Sequence, residues 1–228
     1  PLCSNLEPGT MKKLLEKLGF GWVLNSGEET QAVSLSEINP VPLLGRFDSG
    51  FALSDYSMPE GARWKRTKVG DLLYRFKYER SRDAGLILAE LASDFINRQS
   101  SFKSSHVMLT VPPSFKSRSL DPVSLVAERI EERTQIRWER DALRRTRLTK
   151  PQKALRDRTL KKLNVLSTFR LPRALNPNGK KILLVDDICS SGATLNDISD
   201  ILREGKAAEI NVLVLARTRF SVRTGASM

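Results

Sequence analysis

The sequence predicts an α/β protein built on a parallel sheet covered by helices on both faces, and three observations carry that prediction. Short, nearly continuous apolar runs at residues 107–111, 164–169, 181–185 and 210–216 are separated by helical or loop material, the pattern of strands buried on both sides. Between the last two runs lies an amphipathic stretch, residues 194–203, with Leu195, Ile198, Ile201 and Leu202 at helical spacing and Gly205 just beyond; strand, tight loop, helix and strand make one right-handed βαβ unit. No apolar run approaches the roughly 18 residues of a membrane span.

Taken from the start, residues 10–24 open on Thr10, an N-cap candidate, and place Leu14, Leu15 and Leu18 on one face before Gly19, which predicts a short amphipathic helix. Residues 25–60 are rich in Gly, Ser, Pro and Asn, with a β-like piece at 31–35, and read as part of a small accessory segment or linker. The domain division expected is therefore 1–60 as a small accessory segment or linker and 61–228 as the main α/β domain. Residues 68–97 read as helix, broken near Arg80 to Asp83.

Charge is unevenly spread. The net charge is +12, yet residues 1–60 carry four Lys/Arg against eight Asp/Glu, so the remaining 168 residues hold +16. A basic face of that size suits a polyphosphate, a nucleic acid or both, because the Coulomb attraction is the same. Residues 137–162 concentrate it, with eleven Lys/Arg against three Asp/Glu, and read as a basic arm over an active site or along nucleic acid, against the bland alternative of a solvated helix face. Arg144, Arg145, Arg147 and Lys153 are the nucleic-acid candidates there. Trp138 beside Ile136 reads first as core and second as a stacking platform; Trp22 and Trp64 are weighed the same way.

Two cysteines, Cys3 and Cys189, lie far apart without metal-ligand spacing, so neither a disulfide framework nor a cysteine zinc site is indicated and a reducing, cytoplasmic setting is expected. The first 20 residues show no signal-peptide pattern. A first residue other than Met is expected of a piece of something longer. His106 is the single histidine, which argues against a histidine metal site or a Ser-His triad.

The chemistry is expected at the carboxyl end of the strand at 181–185. There the chain reads Asp186-Asp187-Ile188-Cys189-Ser190-Ser191-Gly192-Ala193-Thr194. Small residues let backbone N–H groups point inward, the hydroxyls of Ser190, Ser191 and Thr194 add donors, and a helix opening at Thr194 adds its positive end: a cradle for a phosphomonoester. Carboxylates repel phosphate but accept from sugar hydroxyls, so Asp186 and Asp187 read as a ribose clamp. Neither the Walker phosphate loop nor the dinucleotide fingerprint occurs.

Residues 184–195 resemble the phosphoribosyl-diphosphate (PRPP) motif of type I phosphoribosyltransferases. Arg145, Arg147, Thr149, Pro151, Gln152 and Leu155, followed by Asn164, Val165 and Phe169, together with Phe76-Lys77-Tyr78, resemble ComF-like members, so that the likeness spans about residues 70–218. It implies a five-stranded parallel sheet flanked by helices and a PRPP loop at 186–194. It also implies a pyrophosphate loop at Pro112, Pro113 and Ser114 after the strand at 107–111, and a mobile basic loop. Mg²⁺ would be held by Asp186 and Asp187; Lys150, Lys153 or Arg158 would neutralise departing pyrophosphate, and Lys77 and Arg82 would either reach phosphate or stand solvated on their helix. The expected ligand is PRPP or a related phosphoribosyl nucleotide, with DNA as a further partner and no membrane. The transfer, where it occurs, is phosphoribosyl to a base with loss of pyrophosphate; the alternative is a non-catalytic accessory module binding nucleic acid. Similar modules also resemble the C-terminal part of RecQ-type DNA helicases. Three departures stand out: the cysteine zinc module usual in ComF proteins is missing, their usual Arg-Gly-Phe-Asn segment is replaced by Leu120-Asp121-Pro122-Val123, and Ser190 stands where purine-salvage enzymes place an Asp base.

Overall fold

The computed structural model describes residues 38–61, 63–113, 122–140, 142–145, 169–171 and 175–219, all within one compact unit that spans 33–228. Its strands are β1 (Val41–Pro42), β2 (Ser49–Asp55), β3 (Ser57–Glu60), β4 (Arg63–Arg66), β5 (Val107–Thr110), β6 (Arg144–Arg145), β7 (Phe169–Arg170), β8 (Lys181–Cys189) and β9 (Glu209–Arg217). Its helices are α1 (Lys68–Tyr78), α2 (Arg82–Arg98), α3 (Ser100–Lys103), α4 (Pro122–Thr134) and α5 (Ala193–Glu204).

The main sheet has five strands in the order β1-β2-β9-β8-β5. β2, β9, β8 and β5 are parallel, and the two-residue β1 is antiparallel on β2. A short edge strand ending in Pro42 blunts that side of the sheet. The centre is dry: Leu183, Leu184, Val212 and Val214 have no exposed surface, as expected where helices cover both faces.

Two strand expectations are corrected. Of the stretch expected as a strand at 164–169, the described end, Phe169, pairs with Arg145 and its neighbour Arg170 with Arg144, antiparallel and in a separate ribbon, and 164–168 lie outside the described residues. The missing parallel strand is Ser49–Asp55, which runs along β9 from Ser49↔Asn211 to Asp55↔Arg217. Residues 38–60 are thus part of the sheet-bearing unit and not an appendage. The Gly and Ser that read as linker are small because a central strand is packed on both faces: Ala52 and Leu53 are fully buried. The helix at 10–24 and the β-like piece at 31–35 lie outside the described residues.

The predicted break in the 68–97 helix falls at Glu79–Ser81, where Arg80 takes a left-handed φ of 59° and Ser81 caps α2 by accepting from the Ala84 N–H at 3.3 Å. α1 is anchored at its start. Thr67 Oγ1 accepts from Gly70 N at 2.9 Å and donates to the Asp55 carbonyl at 2.7 Å, which ties the helix to the end of β2. Gly70 is required there, since a Cβ would stand 1.9 Å from the Tyr56 carbonyl oxygen. Gly70→Ala is expected to destabilise the fold by about 3 kcal/mol, because the obstacle is backbone and cannot rotate away; the shift of a urea midpoint reads it.

Candidate functional site

β8 runs longer than expected. Its pairing with β9 continues through Asp186↔Val214 to Cys189↔Arg217, so the acidic pair stands on the strand and the loop shrinks to Ser190, Ser191 and Gly192. α5 begins at Ala193, one residue before Thr194, with Gly192 as N-cap at φ 72°. Gly192 offers no side-chain cap, so the first-turn N–H groups have no acceptor from that residue and are suited to an anion. The left-handed φ is what demands glycine here, since a Cβ would meet nothing nearer than 4.0 Å. Gly192→Ala is therefore expected to cost about 1 kcal/mol of stability, measured by chemical denaturation, and Gly192→Asn less, because Asn tolerates that conformation.

The loop side chains divide. Ser190 Oγ lies 2.8 Å from Thr218 Oγ1, and Ser191 Oγ accepts from Ala193 N at 3.4 Å. Cys189 is 7% exposed and packs in the core with Leu195 and Val214; burial, then the charge of Asp186, raise its thiol pKa, and its carbonyl accepts from Thr218 N at 2.9 Å. Ile188 remains on the strand, and Ala193 opens the helix.

Asp187 meets a cation from another element. Lys77 Nζ, on α1, lies 2.6 Å from Asp187 Oδ2, with both side chains largely buried at 14% and 17% exposure. Asp186 Oδ1 accepts from Asp187 N at 2.8 Å. Burial, then the charge of Asp187, push the Asp186 carboxyl up to about 8, against the opposing pull of that N–H, Lys77 and Arg145. The two carboxyls thus stand in different surroundings: Asp186 is pushed up by burial and by its neighbour, while Asp187 is ion-paired with Lys77.

Arg145, expected on a nucleic-acid surface, is instead half-buried with its guanidinium 4.7 Å from the Phe169 ring centroid, and its charge acts on Asp186. Arg144 is exposed. Trp138 is core, as its first reading has it: it is 7% exposed, and its indole N–H donates to Thr110 Oγ1 at 3.3 Å. His106 sits beside the sheet, accepting from Lys181 N at 3.1 Å through Nδ1. Pro112 and Pro113 follow β5 as expected of a strand-end loop. Ser114, Arg147, Lys150, Lys153 and Arg158 lie outside the described residues, as does Trp22.

One cluster had no sequence signal. At the carboxyl ends of β2 and β9, the buried Asp55 receives Arg217 through Nε and Nη2, both at 2.9 Å from Oδ1, and Arg219 Nε at 2.7 Å from Oδ2. Thr218, between those arginines, is the residue that meets Ser190. Two cations are thereby held on the same sheet edge as the loop.

Residues 116–223 match the family model described as phosphoribosyl transferase domain. The DNA utilization protein YhgH of Escherichia coli strain K12 is 32% identical over 101 residues, covering 44% of this chain and 43% of that protein. Its counterpart in Salmonella typhi is 35% identical over 81 residues, 36% of this chain and 34% of that one. The match therefore spans under half the length of these relatives. Among solved structures, the allosteric regulatory enzyme of purine biosynthesis is similar with a TM-score of 0.44 at 20% identity, covering 67% of this chain and 33% of that one. Adenine phosphoribosyltransferase from Leishmania donovani gives a TM-score of 0.38 at 12% identity, covering 71% and 59%.

Proposed function

We propose that residues 116–223, which match the phosphoribosyl transferase domain model, form a ComF-like phosphoribosyltransferase domain of type I, and that its loop after β8 binds PRPP. The observation that carries the reading is the Asp186–Asp187 pair on the strand end, directly followed by a glycine-capped helix N-terminus. The amides of Ser190 to Thr194 would hold the 5'-phosphate, and Asp187 and Asp186 would accept from or donate to the ribose hydroxyls. Pro112, Pro113 and Ser114 would flank the pyrophosphate.

Among the described residues no group of three or more His, Cys, Asp or Glu could hold a metal ion, but Mg²⁺ needs only one or two carboxylates beside substrate oxygens and water. Asp186 and Asp187 fit that role, and Mg²⁺ would neutralise charge on the diphosphate. Given an acceptor, its nitrogen would form a bond to the anomeric carbon while the bond to pyrophosphate breaks, the electron pair leaving with pyrophosphate. Lys150, Lys153 and Arg158 are the proposed cations for that leaving group. Lys77, already on Asp187, is a positioning residue that fixes the carboxylate before ligand arrives.

Calorimetric titration of PRPP with Mg²⁺ tests the reading: saturable binding is expected, and none at millimolar PRPP would remove it. A second reading, an accessory module of DNA metabolism, is favoured by the charge of +12 and by relatives described as DNA utilization proteins. DNA affinity that falls steeply with salt is its expected sign.

A further inference from the structure

The hairpin β3–β4 leaves the main sheet at the edge that bears the candidate site. Tyr56, directly after β2, donates its N–H to the Arg217 carbonyl at 2.7 Å, and its carbonyl accepts from Thr67 N at 3.1 Å. The ribbon is therefore pinned at its base beside the carboxyl ends of β2 and β9. Its outer strand, Arg63-Trp64-Lys65-Arg66, is exposed at every position. Trp64, expected in the core, is 48% exposed; a two-stranded ribbon with no third layer over it cannot bury an indole.

Register fixes what shares a face. Pro59 stands opposite Trp64 and Ser57 opposite Arg66, so Trp64 and Arg66 lie on one side, roughly 7 Å apart along the strand. Arg66 continues the surface: its guanidinium lies 4.2 Å from the Tyr74 ring centroid, and Tyr74 and Tyr78 on α1 have centroids 5.1 Å apart. Tyr78 is 61% exposed. Arg66, Tyr74 and Tyr78 thus form a connected aromatic and cationic surface that ends one residue from Lys77, with Trp64 on the same side of the ribbon as Arg66. Residues 57–82 carry eight Lys/Arg against three Asp/Glu. The ion pairs Lys65–Glu60 and Arg66–Asp71 are exposed on both partners and are weak enough for a phosphate to displace.

We infer that this hairpin and the adjoining face of α1 bind single-stranded DNA, with unpaired bases stacking on Trp64 and Tyr78 and a phosphate meeting Arg66. The inference rests on the second functional reading and adds its site and strand state. Exposed rings offer π-faces that a duplex keeps inside its own stack, and the interleaved cations match a strand's charge. DNA, not RNA, is the occupant that the relatives' description favours. Lys77 joins the two surfaces, since Tyr74 and Tyr78 flank it on α1 while its ammonium contacts Asp187.

The test is fluorescence anisotropy of labelled oligothymidylate, oligouridylate and a duplex, at several salt concentrations, with PRPP titrated in parallel. Trp64→Ala and Tyr78→Ala are expected each to weaken oligothymidylate binding by about 5- to 100-fold, with Trp64→Phe retaining most of it. Arg66→Ala is expected to reduce the slope of log affinity against log salt by about 0.7. Melting curves and unchanged PRPP binding show that Trp64→Ala leaves the body intact. Unchanged oligothymidylate affinity in both aromatic variants overturns the site while leaving DNA binding as such standing. Tighter binding of duplex or of oligouridylate overturns the assignment of the ligand, and no binding of any strand removes the second reading with it.

Discussion

Asp187→Asn is expected to weaken Mg-PRPP binding by tens- to thousands-fold, about 2–5 kcal/mol, the usual cost of neutralising one member of a buried, hydrogen-bonded charge contact. Asn keeps the shape and one acceptor oxygen, so the loss reports the charge that a ribose hydroxyl or a cation would meet. The substitution also leaves Lys77, 14% exposed, without its partner at 2.6 Å, which is expected to cost about 3 kcal/mol of stability. The two effects separate in the double variant Lys77→Met with Asp187→Asn: removing the stranded ammonium is expected to restore most of the stability and none of the affinity. Calorimetry and urea denaturation on the same samples read both. Full affinity in Asp187→Asn would take this carboxylate out of the site.

The second large effect is on stability against pH. Asp186 titrates at about 8 in the folded chain, chiefly because it is buried, and near 3.9 when unfolded. Between those values the folded chain holds a proton that the unfolded chain has released. Stability from this group is therefore fully present below about pH 4, declines as pH rises, and levels off above about pH 8. The whole decline is on the order of 5 kcal/mol. Asp186→Asn mimics the protonated acid and is expected to abolish that slope: the variant should exceed wild type by about 1.5 kcal/mol near pH 5 and by about 5 kcal/mol near pH 8.5. Urea midpoints at the two pH values decide it, and parallel slopes would show that Asp186 is solvated in the folded state.

Much of the candidate site is local in the chain. An apolar run, two carboxylates, small residues and an amphipathic stretch are adjacent in sequence, so β8, its loop and α5 follow from short-range patterning. The break expected near Arg80 to Asp83 is likewise local, and the structure closes it with Ser81 capping α2. Lys77 was legible only as a cation on a helix. Its choice of Asp187, 110 residues away, depends on how α1 lies against the sheet. Arg145 was drawn into a basic run by composition, yet packing turns it onto Phe169.

The sequence by itself determined the βαβ unit, the acidic pair and a helix opening straight after the small-residue loop, because backbone sterics and hydrophobic periodicity act over a few residues. Tertiary structure alone decided that Ser49–Asp55 is a central strand, that Asp55 gathers Arg217 and Arg219, and that Trp64 faces outward while Trp138 is covered. These outcomes depend on which distant surface comes to rest on each residue. Small residues become a strand when β9 pairs alongside them, and an indole is buried only where a neighbouring layer closes over it.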